Sequence, residues 1–199
     1  MKAFPTEALT HTPISAVLDL VRQHDLKPEQ VTRIHIRSRA RGADILADPS
    51  KYDPRTKETA DHSLPYVIAA ALVDRQVTPL QFAPEKIMDP AIRAQLRKIE
   101  VAADPEVEKV FPALQRVIVT IRTTDGREFA RQLDYPKGDP RNPLSDREVE
   151  GKFEALAGPV LSRTTRRRVI ETVWGLERLG SVSELMKMLE AEEGVRSSE

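Results

Sequence analysis

The chain has 199 residues, of which 40% are hydrophobic and 31% are charged, a composition typical of a globular protein with a highly charged surface. Its 31 Lys and Arg residues balance its 31 Asp and Glu residues, so the formal charge is zero and general nucleic-acid binding is disfavoured. The absence of cysteine excludes disulfides, zinc–thiolate sites and iron–sulfur clusters ligated by this chain. No apolar run is long enough to span a membrane, and the first residues lack the apolar segment of a signal peptide. We therefore expect a cytoplasmic protein with no membrane or nucleic-acid partner.

The first third of the chain predicts a helix, a strand and a long loop. Thr12 and Pro13 suit the cap and first position of a helix, and apolar residues follow at helical spacing up to residue 21. Residues 31–38 alternate, with Val31 on the same side as the polar residues, which predicts a half-buried strand. Residues 39–60 are polar and contain two prolines, so we expect a loop with a helical turn near residues 43–47.

The middle of the chain predicts two helices and a small sheet. Residues 63–76 are the most apolar helix candidate, with Ser63 as the cap and Pro65 in the first turn, where a missing N–H costs little. A second helix is predicted from Asp89 to residue 98. Strands are predicted at residues 99–102, 116–123 and 128–133, and the Asp-Gly pair at residues 125–126 predicts a tight hairpin between the last two.

A proline-rich segment then separates this α+β part from a helical tail. Residues 134–144 read DYPKGDPRNPL, and Ser145 with Glu148 forms a capping box for a helix to residue 157. Two further helices are predicted at residues 162–179 and 181–192, and residues 193–199 are predicted to be disordered. The organisation is therefore an α+β fold: a small antiparallel-sheet domain over residues 1–135, a linker over 136–144 and a helical tail over 145–192. Three amphipathic helices bury little core by themselves, so the tail is expected to pack on something else.

His62 and Tyr66 are the first candidates for chemistry. His62 stands just before the predicted cap Ser63, and a helix N-terminus attracts anions and favours a neutral imidazole that can move a proton. The alternative is an ordinary surface histidine in a turn. Tyr66 lies one turn later, where it could donate a hydrogen bond to the same ligand or serve as a core tyrosine.

Other ionisable residues lie near the start of the chain and in the proline-rich segment. Lys2, Glu7 and His11 fall within ten residues, where they could bind a carboxylate and shuttle protons or simply form a solvated chain end. Lys137 could contact an anionic substrate or be a charged loop residue. The arginines between residues 163 and 168 are best interpreted as the solvated side of a helix. No glycine-rich phosphate loop, nucleophile elbow or HExxH zinc motif is present.

Three stretches together resemble the MmgE/PrpD family. Residues 51–72 read KYDPRTKETADHSLPYVIAAAL, and residues 134–153 read DYPKGDPRNPLSDREVEGKF. Residues 1–16 contain a Lys-x-Phe-Pro sequence and a histidine nine residues after the lysine. The three occur in the family's order and extend over nearly the whole chain.

The resemblance implies an architecture in which this chain is the C-terminal part of a two-domain protein. Family members have a large all-helical domain and a smaller α+β domain, with the substrate pocket between them. Residues from about 12 to 135 would form the smaller domain. Residues 145–192 would help to complete the large helical domain, which accounts for the isolated helical tail.

The resemblance also implies a function and a set of site residues. The family includes 2-methylcitrate dehydratase, a decarboxylase and an epimerase, which remove a proton next to a carboxylate without a metal. We therefore expect a component of a 2-methylcitrate dehydratase-like lyase that eliminates water from a di- or tricarboxylic acid, with no cofactor. Its partner would be a large helical subunit, a second copy of the chain, or both. The open alternatives are an epimerase or decarboxylase of the same family and a non-catalytic binding module. The expected catalytic residues are His62, Lys2 and Tyr66, and the expected substrate-binding residues are Glu7, His11 and Lys137.

Overall fold

The computed structural model describes residues 1–190, which form two compact units: Met1–Pro143 and a second unit that begins at Leu144. The strands are β1 (Val31–Ser38), β2 (Ile99–Ala103), β3 (Val117–Thr123) and β4 (Glu128–Leu133). The helices are α1 (His11–Gln23), α2 (Ala40–Leu46), α3 (Lys57–Asp61), α4 (Leu64–Asp74), α5 (Pro84–Ile87), α6 (Pro90–Arg93), α7 (Pro105–Lys109), α8 (Asp146–Ala157), α9 (Arg163–Trp174) and α10 (Val182–Met188). The predicted disordered residues 193–199 lie outside the described residues.

The first unit is built on a four-stranded sheet in the order β2-β1-β3-β4. The predicted α+β class is confirmed, but the sheet is mixed instead of antiparallel. Strand β3 pairs antiparallel with β1 and β4, whereas β1 and β2 pair in parallel. The parallel pair arises because α2 to α6 lie between β1 and β2, and such a crossover returns the chain to the sheet in its original direction.

The start of β1 departs from the predicted alternation. Val31, Ile34 and Ile36 are all buried, so Val31 faces the core and not the polar side. The pairing with β3 shifts register between Val31 and Arg33, and a bulge of this kind lets two residues of one strand oppose one of its partner. The irregularity therefore adds one apolar residue to the core.

The core lies between the sheet and two long helices, α1 and α4. These helices pack on each other; α1 also contacts β3 and β4, and α4 contacts β2. Every residue of α4 from Leu64 to Leu72 is buried, and its alanines allow close packing. As predicted, Ser63 caps the helix: its Oγ accepts a hydrogen bond from the Tyr66 backbone N–H at 3.0 Å.

Several element boundaries differ from the predicted ones. A 3₁₀ turn at Ala8–Thr10 leads directly into α1, so this helix begins at His11 and not after Thr12. The predicted loop over residues 39–60 contains α2 and α3. The helix predicted over residues 89–98 ends early, because the Gln95 backbone N–H bonds to the Ile92 carbonyl and a 3₁₀ turn follows before β2.

The second unit consists of α8, α9 and α10 within the described residues. The predicted capping box is present, since the Ser145 and Glu148 side chains each bond to the other's backbone N–H. Arg166 joins α9 to α8 through the Glu154 carboxylate at 2.5 Å. Apolar side chains remain exposed here, including Val173, Trp174, Leu176, Met186 and Leu189. Across the described chain, none of the helices has the length and apolar character needed to cross a membrane.

Candidate functional site

Lys2 and His11 meet at one backbone carbonyl. The Lys2 ammonium donates to the Thr6 carbonyl oxygen at 3.0 Å, and His11 Nε2 lies 3.4 Å from the same oxygen. His11 is buried, with its ring edge-on to Phe4 at a centroid distance of 5.5 Å, whereas Lys2 is exposed. The turn thus holds one cationic side chain at the surface and one imidazole just beneath it.

A backbone hydrogen bond joins this turn to the segment that carries His62. The Glu7 N–H donates to the Asp61 carbonyl at 3.1 Å, across 54 residues of sequence. The Glu7 carboxylate accepts from the Leu9 backbone N–H at 2.5 Å, so it caps the 3₁₀ turn before α1. The structure therefore brings together two groups of predicted site residues that are far apart in the chain.

His62 is held by a carboxylate that sequence reasoning missed. Its Nδ1 lies 2.5 Å from Asp61 Oδ1, and the His62 side chain is 56% exposed while that of Asp61 is 15% exposed. Asp61 also pairs with Lys57 at 3.5 Å. If Nδ1 carries the proton that Asp61 accepts, Nε2 is left as a basic nitrogen at the surface, the arrangement of an oriented general base. The signal for it in the sequence is the adjacent Asp-His pair at residues 61–62.

Tyr66 lies in the core of the first unit, apart from the turn that contains Lys2 and His11. It is fully buried, and its hydroxyl donates to the Gln81 carbonyl at 2.5 Å. Burial raises the pKa of this phenol above its ordinary value, and the charges of Asp74 and Asp89 add to the shift. In this structure Tyr66 anchors the start of α4 to the segment around Gln81, and its catalytic role stays a prediction.

Lys137 belongs to a loop that packs against the start of α1. Its backbone N–H donates to Ser15 Oγ at 3.5 Å, and that hydroxyl donates to the His11 carbonyl at 2.8 Å. The Met1 nitrogen donates to the Gly138 carbonyl at 2.8 Å. Gly138 has a φ of +91°, and a side chain there would overlap the Met1 carbonyl oxygen, so the position requires glycine. The predicted linker residues 136–143 thus form part of the first unit.

These residues form a candidate site around the turn that precedes α1. It contains the exposed Lys2 ammonium and the buried His11 imidazole at the Thr6 carbonyl, together with the Asp61–His62 pair, which has the chemistry for proton transfer. Within residues 1–190, no group of three or more His, Asp or Glu side chains has the arrangement of a metal site.

Comparisons with known proteins identify the family of the chain. Residues 4–177 match the family model described as MmgE/PrpD C-terminal domain. Cis-aconitate decarboxylase from Mus musculus is 30% identical over 190 residues, which is 94% of this chain and 38% of the relative. The Homo sapiens enzyme of the same name is 31% identical over 194 residues, 94% of this chain and 39% of the relative. The Aspergillus terreus enzyme of the same name is 23% identical over 199 residues, which is 95% of this chain and 40% of the relative. The chain therefore spans about two fifths of the length of these relatives.

Proposed function

Because the chain belongs to the MmgE/PrpD family, we propose that it supplies part of the active site of a lyase acting on a di- or tricarboxylic acid. The observation that carries the proposal is the backbone bond from Glu7 to Asp61, which places the Lys2–His11 turn beside the Asp61–His62 pair. A carboxylate substrate needs a cation for binding and an oriented base next to the reacting carbon. Lys2 and His62 have the chemistry for these two roles.

In the proposed dehydration, His62 acts as the general base. Neutral Nε2 takes the proton from the carbon next to a carboxylate, and the electron pair of the C–H bond moves toward that carboxylate. The C–O bond on the neighbouring carbon then breaks, and the leaving hydroxide takes a proton from solvent and departs as water, after which His62 releases its proton to solvent and is neutral again. Lys2 stabilises the negative charge that develops on the carboxylate, an electrostatic effect of the kind that dominates many enzymatic rate enhancements. The reaction predicted from the sequence, dehydration of 2-methylcitrate, follows this course.

The relatives favour a second reaction for the same residues. Their name gives cis-aconitate as a substrate and decarboxylation as the reaction. In a decarboxylation the C–C bond to one carboxylate breaks, carbon dioxide leaves, and the electron pair remains on carbon until it is protonated. His62 in its protonated form would then be the acid that delivers the proton. Cis-aconitate is therefore tested alongside 2-methylcitrate.

The proposal also includes a partner for the second unit, because the chain spans only 38% to 40% of its relatives. An apolar groove of about 270 Å³ runs between α8, α9 and α10, lined by residues that include Phe153, Val173, Trp174 and Leu189. Exposed apolar grooves of this kind mark protein–protein contacts. We assign the groove to a large helical MmgE/PrpD-type domain or subunit; packing on a second copy of the chain is the alternative. A cytoplasmic location is part of the same proposal.

The test is reconstitution of turnover from two parts. The chain is mixed with a large helical protein of the family, and 2-methylcitrate, cis-aconitate and an amino-dicarboxylate are followed for loss of water, loss of carbon dioxide or epimerisation. We expect turnover of a tricarboxylate only in the mixture. His62→Gln should lower kcat at least about a hundredfold, the usual contribution of a general acid or base.

His24→Gln is the matched control, because His24 stacks on Phe129 at 4.1 Å and is not among the predicted site residues. Its kcat should be unchanged. Equal kcat for His62→Gln and the wild type would contradict the catalytic role of His62. A tight complex without turnover of any of the three substrates would favour the non-catalytic module.

A further inference from the structure

A polar cavity in the first unit is lined by several side chains whose hydrogen-bonding groups have no partner within residues 1–190. It has a volume of about 390 Å³ and lies between the start of α1, the end of β1 and the segment before β3. This volume is within the range of small-molecule sites. The side chains concerned are Thr12, Ser38, Arg39 and Gln115. None of the six predicted site residues lines the cavity.

Two hydroxyl side chains, those of Thr12 and Ser38, line the cavity. Thr12 is 5% exposed, and its hydroxyl makes no hydrogen bond within the described chain. That oxygen is not fully buried, because Gln95 Oε1 is the one buried side-chain polar atom without a partner among the described residues; the Thr12 hydroxyl is therefore open to the cavity. A Cβ atom at Gly42 would come within 3.0 Å of the Ser38 oxygen, so the glycine leaves this hydroxyl accessible.

The charge balance around the cavity favours an anion. The Arg116 guanidinium bonds to Asp134 at 2.7 Å, and Asp139 bonds to Arg141 at 2.9 Å, so these charges are neutralised in pairs. Within the described residues, Arg39 has no carboxylate partner. Its guanidinium lies 3.8 Å from the centroid of the Phe111 ring, which covers one face and leaves the N–H edge available.

We propose that this cavity binds a small molecule through a carboxylate or phosphate group. The Arg39 guanidinium presents N–H groups in a fork that matches the oxygens of either anion. The Thr12 and Ser38 hydroxyls and the Gln115 amide supply further donors to the same group. The two anions share this chemistry, and a titration with each distinguishes them. The proposal uses none of the predicted catalytic residues and does not depend on the proposed lyase activity.

The experiment titrates the complete 199-residue chain with citrate, inorganic phosphate and glycerol, by calorimetry and by amide chemical shifts. We expect saturable binding of citrate or phosphate, with shifts at residues lining the cavity, and no binding of the neutral glycerol. The tighter anion identifies the ligand group. Arg39→Gln should weaken binding at least about tenfold, as expected when a charged hydrogen-bond donor is lost.

Two further variants make the outcome decisive. Gln115→Glu is nearly isosteric and puts a negative charge into the cavity, so it should abolish anion binding even if Arg39→Gln proves unstable. Arg41→Gln removes an exposed charge that does not line the cavity, and it should leave the affinity unchanged. The proposal is overturned if neither anion binds saturably, if glycerol binds as well as they do, or if Arg41→Gln weakens binding as much as Arg39→Gln.

Discussion

The carboxylate of Asp61 determines which nitrogen of His62 faces outward. Asp61 Oδ1 lies 2.5 Å from His62 Nδ1, so the neutral ring should carry its proton on Nδ1 and leave Nε2 basic. Asp61→Ala removes the acceptor, and we expect the neutral ring to shift to the Nε2–H tautomer. Nitrogen-15 chemical shifts of the imidazole measure this directly. His24 has no carboxylate hydrogen-bonded to its ring within residues 1–190, so its tautomer should not change. An unchanged His62 spectrum would show that Asp61 does not orient the ring.

The Tyr66 hydroxyl should contribute mainly to stability. It donates to the buried Gln81 carbonyl, and Tyr66→Phe leaves that carbonyl without its donor. We expect a loss of about 1–3 kcal/mol in the free energy of unfolding, the cost of an unpaired buried polar group. Urea denaturation measures it. Tyr52→Phe is the comparison, because its hydroxyl bonds to the Ile99 carbonyl at 3.1 Å in a less buried setting, and its loss should be smaller.

Tyr66 also predicts how stability responds to high pH. Burial raises the pKa of the folded-state phenol above the ordinary value of 10.0, so the unfolded chain loses this proton first as the pH rises. Its contribution to stability is therefore complete below about pH 10 and is lost as the pH rises beyond it. In Tyr66→Phe, the free energy of unfolding should fall less steeply above this pH. If Tyr135→Phe flattens the curve equally, the effect does not come from Tyr66.

At the residue scale, the candidate site residues could be predicted from the sequence, but the contacts between them could not. His62 and its neighbour Ser63 could be identified because helix caps have a local pattern. The bond between Glu7 and Asp61 joins segments 54 residues apart, and no local pattern encodes such a contact. For the same reason, the burial of His11 under Lys2 could not be predicted.

At the scale of elements, Gly138 fixes the loop that carries Lys137. A side chain at Gly138 would meet the Met1 carbonyl, whereas at Gly126, which also has a positive φ, it would meet nothing within 4 Å. Both Gly→Ala changes should cost roughly 1 kcal/mol of backbone strain, but Gly138→Ala should cost more and release the turn at residues 1–6. Urea denaturation and hydrogen exchange of residues 1–6 test this. Equal stability and equal exchange in the two variants would mean that the close approach to Met1 is unimportant.

The elements themselves were predictable where the signal was local. The Ser63 cap, the Ser145–Glu148 box and the Asp-Gly hairpin at residues 125–126 all appear as expected, because each depends on residues within one turn. The parallel pairing of β1 with β2 was missed, since strand direction depends on a long intervening crossover. The bulge at the start of β1 was missed as well, because burial of Val31 overrides simple alternation there.

At the scale of the whole molecule, the second unit has more apolar surface than three helices can bury among themselves. Trp174 is 52% exposed and lines the apolar groove, with its indole N–H held by Glu150 at 2.7 Å. It is the chain's single tryptophan, so its fluorescence reports on this groove alone. If a large helical domain covers the groove, adding that protein should shift the emission to shorter wavelength.

A charge placed in the groove should prevent this association, because a glutamate there would be buried without a partner. Trp174→Glu should therefore abolish co-purification with the helical protein. Val182→Glu is the matched control, since Val182 is 66% exposed on α10 but does not line the groove, and it should bind normally. If the chain alone forms a stable dimer that Trp174→Glu dissociates, the groove is an interface between copies. A monomeric wild-type chain whose fluorescence does not respond to the helical protein would contradict both partners.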